Sequence, residues 1–305
     1  MICEKHFLYE DRDDVFLTTY LWEPSPELLA GEKRPLVLVC PGGGYLNCSD
    51  REAEPVALRF AGMGYHAAVL RYSTYGERRD DFARLATDDY LKPHILYPVQ
   101  MRELGIAMLL LKRRAAEWRI DADRVAICGF SAGAHNCAMY AVNWNRPVLT
   151  DALKANPEEL HPAAVILGYP VVDFGITEGV CDADRPLYAD MYKAFIGAAE
   201  PSEAQFAQID AARQVTADTP PMFIWSTAAD ATVPVMNSLN LASALSKHGV
   251  PFELHIFEEG LHGMGLCDQA SAGVTQHMDA AAAKWPELAG SWLAKRFVLD
   301  VPKGE

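Results

Sequence analysis

A serine between two glycines carries the clearest chemical signal in this chain. Ser131 lies in the segment Gly129-Phe130-Ser131-Ala132-Gly133, after the apolar run 125–128 and before the small-residue stretch 134–141, which can begin a helix. A sharp strand-to-helix turn strains the backbone of its central residue and leaves no room for a Cβ on either side. Such a turn exposes the hydroxyl, and the first N–H groups of the helix face any negative charge that develops beside it. The spacing therefore predicts a nucleophilic serine.

A histidine near the end of the chain is placed to activate this serine. A serine hydroxyl is a weak nucleophile, so a base must take its proton and a further group must orient that base. His262 lies in the glycine-flanked segment Glu258–Gly263, directly after the predicted strand 252–257, where an imidazole can project over the end of a sheet. None of the other histidines has this setting, and we predict His262 as the base. His135 follows Ser131 by one helical turn on the same face, and we predict a structural role for it.

Two aspartates compete for the orienting carboxylate. Asp230 follows the predicted strand 222–227, and Asp173 follows the neighbouring predicted strand 163–169. Most aspartates in loops cap helices or face water, so position must decide between the two. We favour Asp230, which gives the chain order Ser, Asp, His.

A second glycine-rich segment follows the predicted buried strand 35–40. It reads Pro41-Gly42-Gly43-Gly44-Tyr45, and three consecutive glycines let the backbone approach a ligand closely and turn its N–H groups outward. Such a loop can cradle a phosphate, but neither Gly-Lys-Ser/Thr nor the G-x-G-x-x-G spacing is present. The segment suits the oxyanion of an acyl-transfer reaction better, and we predict that role.

Composition disfavours several classes of partner. The 305 residues carry a formal net charge of −14, which opposes binding to nucleic acid or to an anionic membrane and predicts neutral or weakly charged ligands. The seven cysteines occur singly, without metal-ligand spacing, as in a reducing compartment. The first residues carry charge where a signal peptide is apolar, and no apolar run reaches transmembrane length. We therefore expect a soluble, cytoplasmic protein with no metal.

Strands alternate with helices along most of the chain, which predicts an α/β fold with a mostly parallel central sheet flanked by helices. Sites in such sheets gather beyond the carboxyl ends of the strands, where the segments above all lie. We expect a single domain over 1–305, in which residues 171–221 form a small cap inserted over the end of the sheet. Further expected elements are an antiparallel opening pair over 6–10 and 15–22, and a closing helix over 275–296 that is interrupted at Pro286.

Four motifs support a resemblance to a known family. The PGGGY, GFSAGAH, DATVP and GLHG segments, in this order over nearly the whole chain, resemble those of the α/β-hydrolase esterases of the acetyl esterase and hormone-sensitive-lipase-like group. Within that group the chain is most similar to small bacterial acetyl esterases often described as xylan or sugar esterases. The resemblance implies an α/β-hydrolase fold and a serine esterase that needs no cofactor. It implies Ser131 as nucleophile, His262 as general base and acid, and Asp230 as orienting carboxylate.

The resemblance also implies that the N–H groups of Gly43, Gly44 and Ala132 form an oxyanion hole. The larger group usually has histidine where this chain has Pro41. Proline cannot make that side-chain hydrogen bond, so the glycine loop must be held differently here. Which glycine N–H groups face the substrate therefore stays open.

The substrate implied by the resemblance is a small-molecule ester with a short acyl group, such as an acetylated sugar or xylo-oligosaccharide. Tyr45, beside the glycine loop, and Met264, beside the histidine, are candidates to line the substrate pocket, with core packing as the alternative for each. Two other functions stay open: amide hydrolysis by the same triad, as in an arylformamidase or small peptidase, and non-catalytic binding of a small molecule. Receptors of that second kind typically lose the histidine. The oligomeric state is not specified, and a homodimer is one option.

Overall fold

The computed structural model describes residues 1–29, 32–76, 79–87, 89–299 and 301. The strands within them are β1 (Ile2–Phe7), β2 (Phe16–Leu21), β3 (Arg34–Cys40), β4 (His66–Arg71), β5 (Ile120–Phe130), β6 (Ala164–Gly168), β7 (Met222–Thr227) and β8 (Phe252–Phe257). These described strands form one eight-stranded sheet in the order β1-β2-β4-β3-β5-β6-β7-β8.

The sheet is parallel except at one edge. Strands β3 to β8 pair with one another in parallel, whereas β1 and β2 add antiparallel strands beside β4. Every residue of β3, β6 and β7 is buried, as expected where helices cover both faces of a parallel sheet. The predicted fold class, a mostly parallel sheet flanked by helices, is confirmed.

Helices cover both faces of the sheet. They are α1 (Glu54–Gly62), α2 (Arg79–Ala83), α3 (Val99–Arg113), α4 (Ala115–Trp118), α5 (Ala132–Asn143), α6 (Pro147–Leu153), α7 (Pro157–Leu160), α8 (Arg185–Met191), α9 (Glu203–Ile209), α10 (Ala211–Gln214), α11 (Met236–Lys247) and α12 (Trp285–Ala294). Apolar side chains of α3, α5 and α11 pack in the core on one face, and those of α1 and α12 pack in the core on the other.

Three predicted boundaries differ from the structure. Strand β5 begins before the apolar run 125–128 that indicates it in the sequence, at Ile120, which pairs with Arg34 across a register shift. The opening strand also begins earlier, at Ile2. The closing helix starts only at Trp285, and Pro286 lies in its first turn instead of interrupting it. Proline lacks an N–H group, so the first turn of a helix accommodates it and the interior does not.

The chain between β6 and β7 folds over the carboxyl end of the sheet. It contains α8, a π-helical turn over Tyr192–Ile196, α9 and α10. Helix α9 begins with a capping box, in which the side chains of Ser202 and Gln205 satisfy backbone N–H groups of the first turn. This is the stretch 171–221 that the sequence predicts as a cap.

Candidate active site

Ser131 lies at the tight turn between β5 and α5. Its φ of 51° is in the left-handed region, which residues other than glycine rarely adopt. A Cβ on Gly129 would lie 2.3 Å from the carbonyl oxygen of Gly133, and a Cβ on Gly133 would lie 2.2 Å from that of Cys40. Because these neighbours are backbone atoms, only glycine fits at both positions. The close approach of β3, β5 and α5 therefore requires the two glycines of the motif.

The structure brings Ser131, His262 and Asp230 into one hydrogen-bonded chain. His262 Nε2 lies 2.7 Å from Ser131 Oγ, and His262 Nδ1 lies 2.7 Å from Asp230 Oδ2. The other oxygen of Asp230 accepts the backbone N–H groups of Thr232 at 2.9 Å and Val233 at 2.8 Å. The fixed carboxylate accepts the Nδ1 proton of the imidazole, which leaves Nε2 to accept the serine hydroxyl.

The same carboxylate governs the proton affinity of the imidazole. Burial lowers the pKa of His262, but the charge and the hydrogen bond of Asp230 raise it, with further contributions from Glu52 and Asp184. The net result is a pKa above the ordinary histidine value. An imidazole with a raised pKa is a stronger base toward a serine proton.

The other candidates for the triad lie elsewhere. Asp173 accepts the N–H group of Gly175 at 2.8 Å within its own loop. His135 is fully buried, with Nδ1 2.7 Å from the Tyr45 hydroxyl and Nε2 2.7 Å from the Ile209 carbonyl oxygen. Since the carbonyl can only accept, Nε2 of His135 carries the proton and Tyr45 donates to Nδ1. Burial lowers the pKa of His135 to about 4, so it stays neutral and links the glycine loop to the cap.

Two side chains from outside the glycine loop hold it in place. Glu52 accepts the N–H group of Gly42 at 2.8 Å, and the Tyr72 hydroxyl donates to the carbonyl oxygen of Pro41 at 2.5 Å. Both partners are buried. These contacts take the place of the side-chain hydrogen bond that proline cannot make at this position.

Three backbone N–H groups beside the serine have no acceptor among the described residues. The N–H of Gly42 is occupied by Glu52, but within the described part of the chain no protein acceptor is found for Gly43, Gly44 or Ala132. Ala132 is the first residue of α5, where an N–H group has no partner inside the helix. An oxygen that became negatively charged beside Ser131 would therefore meet unsatisfied donors.

A cleft of about 230 Å³ opens over Ser131 and His262. The glycine loop lines one side, and Leu187, Tyr188 and Met191 of α8 line another. The chain between β6 and β7 thus supplies apolar side chains to the cleft that Ser131 lines. A larger and more polar groove of about 800 Å³ lies next to the cleft, and Asn47 lines both.

Tyr45 and Met264 do not line the cleft, and this corrects their predicted role in substrate binding. Tyr45 is 1% exposed and stacks on Phe195 with ring centroids 3.9 Å apart, because its φ of 60° turns the side chain into the core. Met264 is also 1% exposed and packs so closely on Gly260 that a Cβ there would lie 2.9 Å from its Cε. For both residues the alternative of core packing holds.

Two residues of the site escaped sequence analysis. Glu52 lies in a short 3₁₀ turn, and Tyr169 directly follows β6. The Tyr169 hydroxyl donates to Glu52 Oε1 at 2.6 Å and accepts the N–H group of Gly265 at 2.9 Å. The Tyr169 ring meets His262 edge to face, with centroids 4.9 Å apart. The sequence around Glu52 has the pattern of a charged helical segment, and this pattern does not indicate that the Glu52 carboxylate is buried.

The described residues contain no candidate metal site and no helix that could span a membrane. No group of three or more His, Cys, Asp or Glu side chains there could hold a metal ion. None of the described helices combines the length and the apolar character needed to cross a membrane.

Comparison with known proteins identifies the family. Residues 28–245 match the family model described as BD-FAE. The chain belongs to the BD-FAE family. Its α/β-hydrolase fold is shared with the carboxylesterase Cest-2923 from Lactobacillus plantarum, which is 28% identical and superimposes over 100% of both chains with a TM-score of 0.76.

Two further relatives of this BD-FAE protein have names that concern xylan-type carbohydrates. The acetyl ester-xyloside bifunctional hydrolase from Caldicellulosiruptor lactoaceticus is 27% identical, covers 96% of both chains and has a TM-score of 0.72. Endo-1,4-beta-xylanase B from Butyrivibrio fibrisolvens is 33% identical over 240 residues, which are 77% of this chain and 33% of that relative. The chain spans between a third and about half the length of the curated relatives it matches.

Proposed function

We propose that this protein is a serine carboxylic-ester hydrolase that acts through an acyl-enzyme. The observation that carries the proposal is the hydrogen-bonded chain from Ser131 through His262 to Asp230, with 2.7 Å at each step. The carboxylesterase and the acetyl ester hydrolase among its structural relatives support the same reaction class.

The reaction proceeds in two halves. His262 Nε2 takes the proton of Ser131 while the serine oxygen attacks the ester carbonyl, and Asp230 keeps the imidazole in the required tautomer. The tetrahedral oxyanion accepts hydrogen bonds from Gly43, Gly44 and Ala132. His262 then gives its proton to the leaving alcohol. Water, deprotonated by the same imidazole, attacks the acyl-enzyme and releases the acid and the free serine.

The small cleft supports a short acyl group. Its volume of about 230 Å³ is below the usual range of pockets for drug-sized ligands. Met191 of the cap lies against the glycine loop, so that a Cβ on Gly44 would be only 3.2 Å from Met191 Cγ. Long acyl chains would require the cap helix α8 to move.

The adjoining groove supports a polar, sugar-like alcohol. Polar and charged side chains line much of it, including Thr18, Asp50 and Arg71, and Asn47 lines both the groove and the cleft. Such groups can bind the hydroxyls of a carbohydrate. The xyloside hydrolase and the xylanase among the relatives support acetylated sugars or xylo-oligosaccharides as substrates.

Chain-length profiles of the wild type and of Ser131→Ala test both parts of the proposal. With p-nitrophenyl acetate, butyrate and octanoate, we expect acetate or butyrate to be preferred, and we expect Ser131→Ala to lose on the order of 10⁴-fold or more in kcat. Equal activity of the two proteins would overturn the role of Ser131, and a preference for octanoate would overturn the short-acyl substrate. Formyl-amide and aminoacyl-amide substrates belong in the same panel, since faster turnover of an amide would replace the esterase proposal by amide hydrolysis.

A further inference from the structure

A buried carboxylate connects the two loops on which the proposed reaction depends. Glu52 is 2% exposed, and its two oxygens face different loops. Oε2 accepts the N–H group of Gly42, in the glycine loop. Oε1 accepts the Tyr169 hydroxyl, which in turn accepts the N–H group of Gly265, just beyond His262. One carboxylate thus spans from the oxyanion loop to the histidine loop.

The partners of this carboxylate make it costly to keep. A backbone N–H group and a phenol are both neutral, and a buried charge that is not paired with an opposite charge destabilises a fold. The negative charge at Glu52 is therefore best explained by something other than stability.

The surroundings of His262 suggest a role for the negative charge of Glu52. Asp230 and Ser131 are hydrogen-bonded to the imidazole, Tyr169 packs against its ring, and Glu52 and Asp184 lie near enough for their charges to favour its protonated form. A cation also contacts this loop, since Arg51 Nε donates to the carbonyl oxygen of Gly263 at 3.3 Å. Imidazolium forms during the reaction, and a fixed negative charge nearby stabilises it without reorganisation.

We propose that Glu52 is a positioning residue for the hydrolysis, fixing the oxyanion loop directly and the His262 loop through Tyr169. The proposal rests on the esterase function proposed above. It explains how a chain with Pro41 keeps its glycine loop in place. It also gives the carboxylate a second effect, since its charge favours the imidazolium that forms as Ser131 attacks.

Three substitutions separate these effects from simple loss of packing. In Glu52→Gln the charge is lost, and because the amide nitrogen can only donate, the side chain cannot accept from both Gly42 and Tyr169 as the carboxylate does. Tyr169→Phe breaks the link to the histidine loop but keeps the charge. The control is Glu103→Gln, because Glu103 is 0% exposed and also accepts a backbone N–H group and a tyrosine hydroxyl, from Ser73 and Tyr9.

Steady-state kinetics of p-nitrophenyl acetate hydrolysis across pH are the first measurement. We expect Glu52→Gln to lower kcat by about tenfold or more while KM changes by less than about threefold, because the donors that it holds act mainly in the transition state. The acidic limb of its kcat/KM profile should shift to lower pH. Tyr169→Phe should lower kcat with a smaller shift of that limb, and Glu103→Gln should keep the wild-type kcat and profile.

A merely structural role predicts a different pattern. If Glu52→Gln and Tyr169→Phe both keep the wild-type kcat and pH profile, the positioning role is overturned. If Glu103→Gln lowers kcat as much as Glu52→Gln does, loss of a buried carboxylate is sufficient and the proposal also fails. Circular dichroism of each variant identifies unfolded protein, and Tyr169→Phe provides the kinetic test if Glu52→Gln does not fold.

Proton NMR titration of the His262 imidazole keeps this inference distinguishable from the proposed function. The signal is assigned by its loss in His262→Ala and does not depend on turnover. Absence of Ser131-dependent hydrolysis in the wild type would overturn the esterase proposal alone. A His262 pKa that is lower in Glu52→Gln than in the wild type supports the inference in either case, and an unchanged pKa overturns it.

Discussion

Replacement of Asp230 by asparagine tests the proposed triad through the tautomer of His262. In the native protein, Oδ1 of Asp230 accepts two backbone N–H groups, from Thr232 and Val233, while Oδ2 faces His262 Nδ1. An asparagine in the same place must keep its oxygen toward the two N–H groups. Its NH₂ group would then face Nδ1. Nδ1 can accept a hydrogen bond from this group only when it carries no proton, because it accepts through its lone pair.

The consequence for the serine follows directly. With Nδ1 unprotonated, the neutral imidazole carries its proton on Nε2, 2.7 Å from Ser131 Oγ, and cannot accept the serine proton. We expect Asp230→Asn to reduce kcat on the order of 10⁴-fold, the size of effect known for a triad imidazole held in the wrong tautomer. At 1.36 kcal/mol for each factor of ten, this is about 5 kcal/mol of transition-state stabilisation.

The assay is p-nitrophenyl acetate hydrolysis at saturating substrate, with the thermal midpoint measured in parallel. Asp173→Asn is the matched control, because Asp173 also follows a parallel strand but accepts a hydrogen bond only within its own loop. We expect it to keep the wild-type kcat to within a few fold. A folded Asp230→Asn protein with kcat within about tenfold of the wild type would refute the reasoning.

Three further predictions concern pH, the serine turn and the cap. The kcat/KM should rise with pH through the pKa of His262, which lies above the ordinary histidine value, because only the unprotonated imidazole accepts a proton; a rate that is constant from about pH 5 to 9 would contradict this. Gly133→Ala should destabilise the fold by about 1–3 kcal/mol in thermal or urea denaturation, since the added Cβ would lie 2.2 and 2.3 Å from two backbone oxygens. Gly62→Ala, whose Cβ would meet nothing within 4 Å, should change stability by no more than about 0.5 kcal/mol, and equal effects of the two would count against the steric argument. Met191→Ala should raise the ratio of butyrate to acetate turnover, by up to about fourfold for each methylene that enters the vacated space, and an unchanged ratio would exclude Met191 from the acyl site.

The sequence predicted the architecture and the proximity of three residues that are far apart along the chain, because both follow from strand periodicity. Apolar runs marked the strands that are buried on both faces, and parallel pairing brings their carboxyl ends to one edge. Ser131 and Asp230 follow buried strands and His262 follows the parallel edge strand β8, and the structure places the three within hydrogen-bonding distance. Their catalytic roles remain proposals.

Predictions that rested on proximity along the chain were less successful. Tyr45 follows the glycine loop and Met264 follows the proposed base, yet both side chains point into the core. Backbone conformation, such as the positive φ of Tyr45, decides where a loop side chain points, and periodicity carries no information about it. Glu52 was missed for a related reason. Its hydrogen-bond partners, Gly42 and Tyr169, belong to other loops, and the pattern of its own segment carries no information about them.

Covalent labelling by a fluorophosphonate is the most direct test of the central claim that Ser131 is an activated nucleophile. Intact-mass spectrometry of the treated wild type, followed by peptide mapping, measures both the extent and the position of the adduct. The account predicts a single phosphonyl group on Ser131, with loss of esterase activity in proportion, and no adduct on Ser131→Ala. A wild type that hydrolyses esters but takes up no label, or that carries the label on another residue, would contradict it.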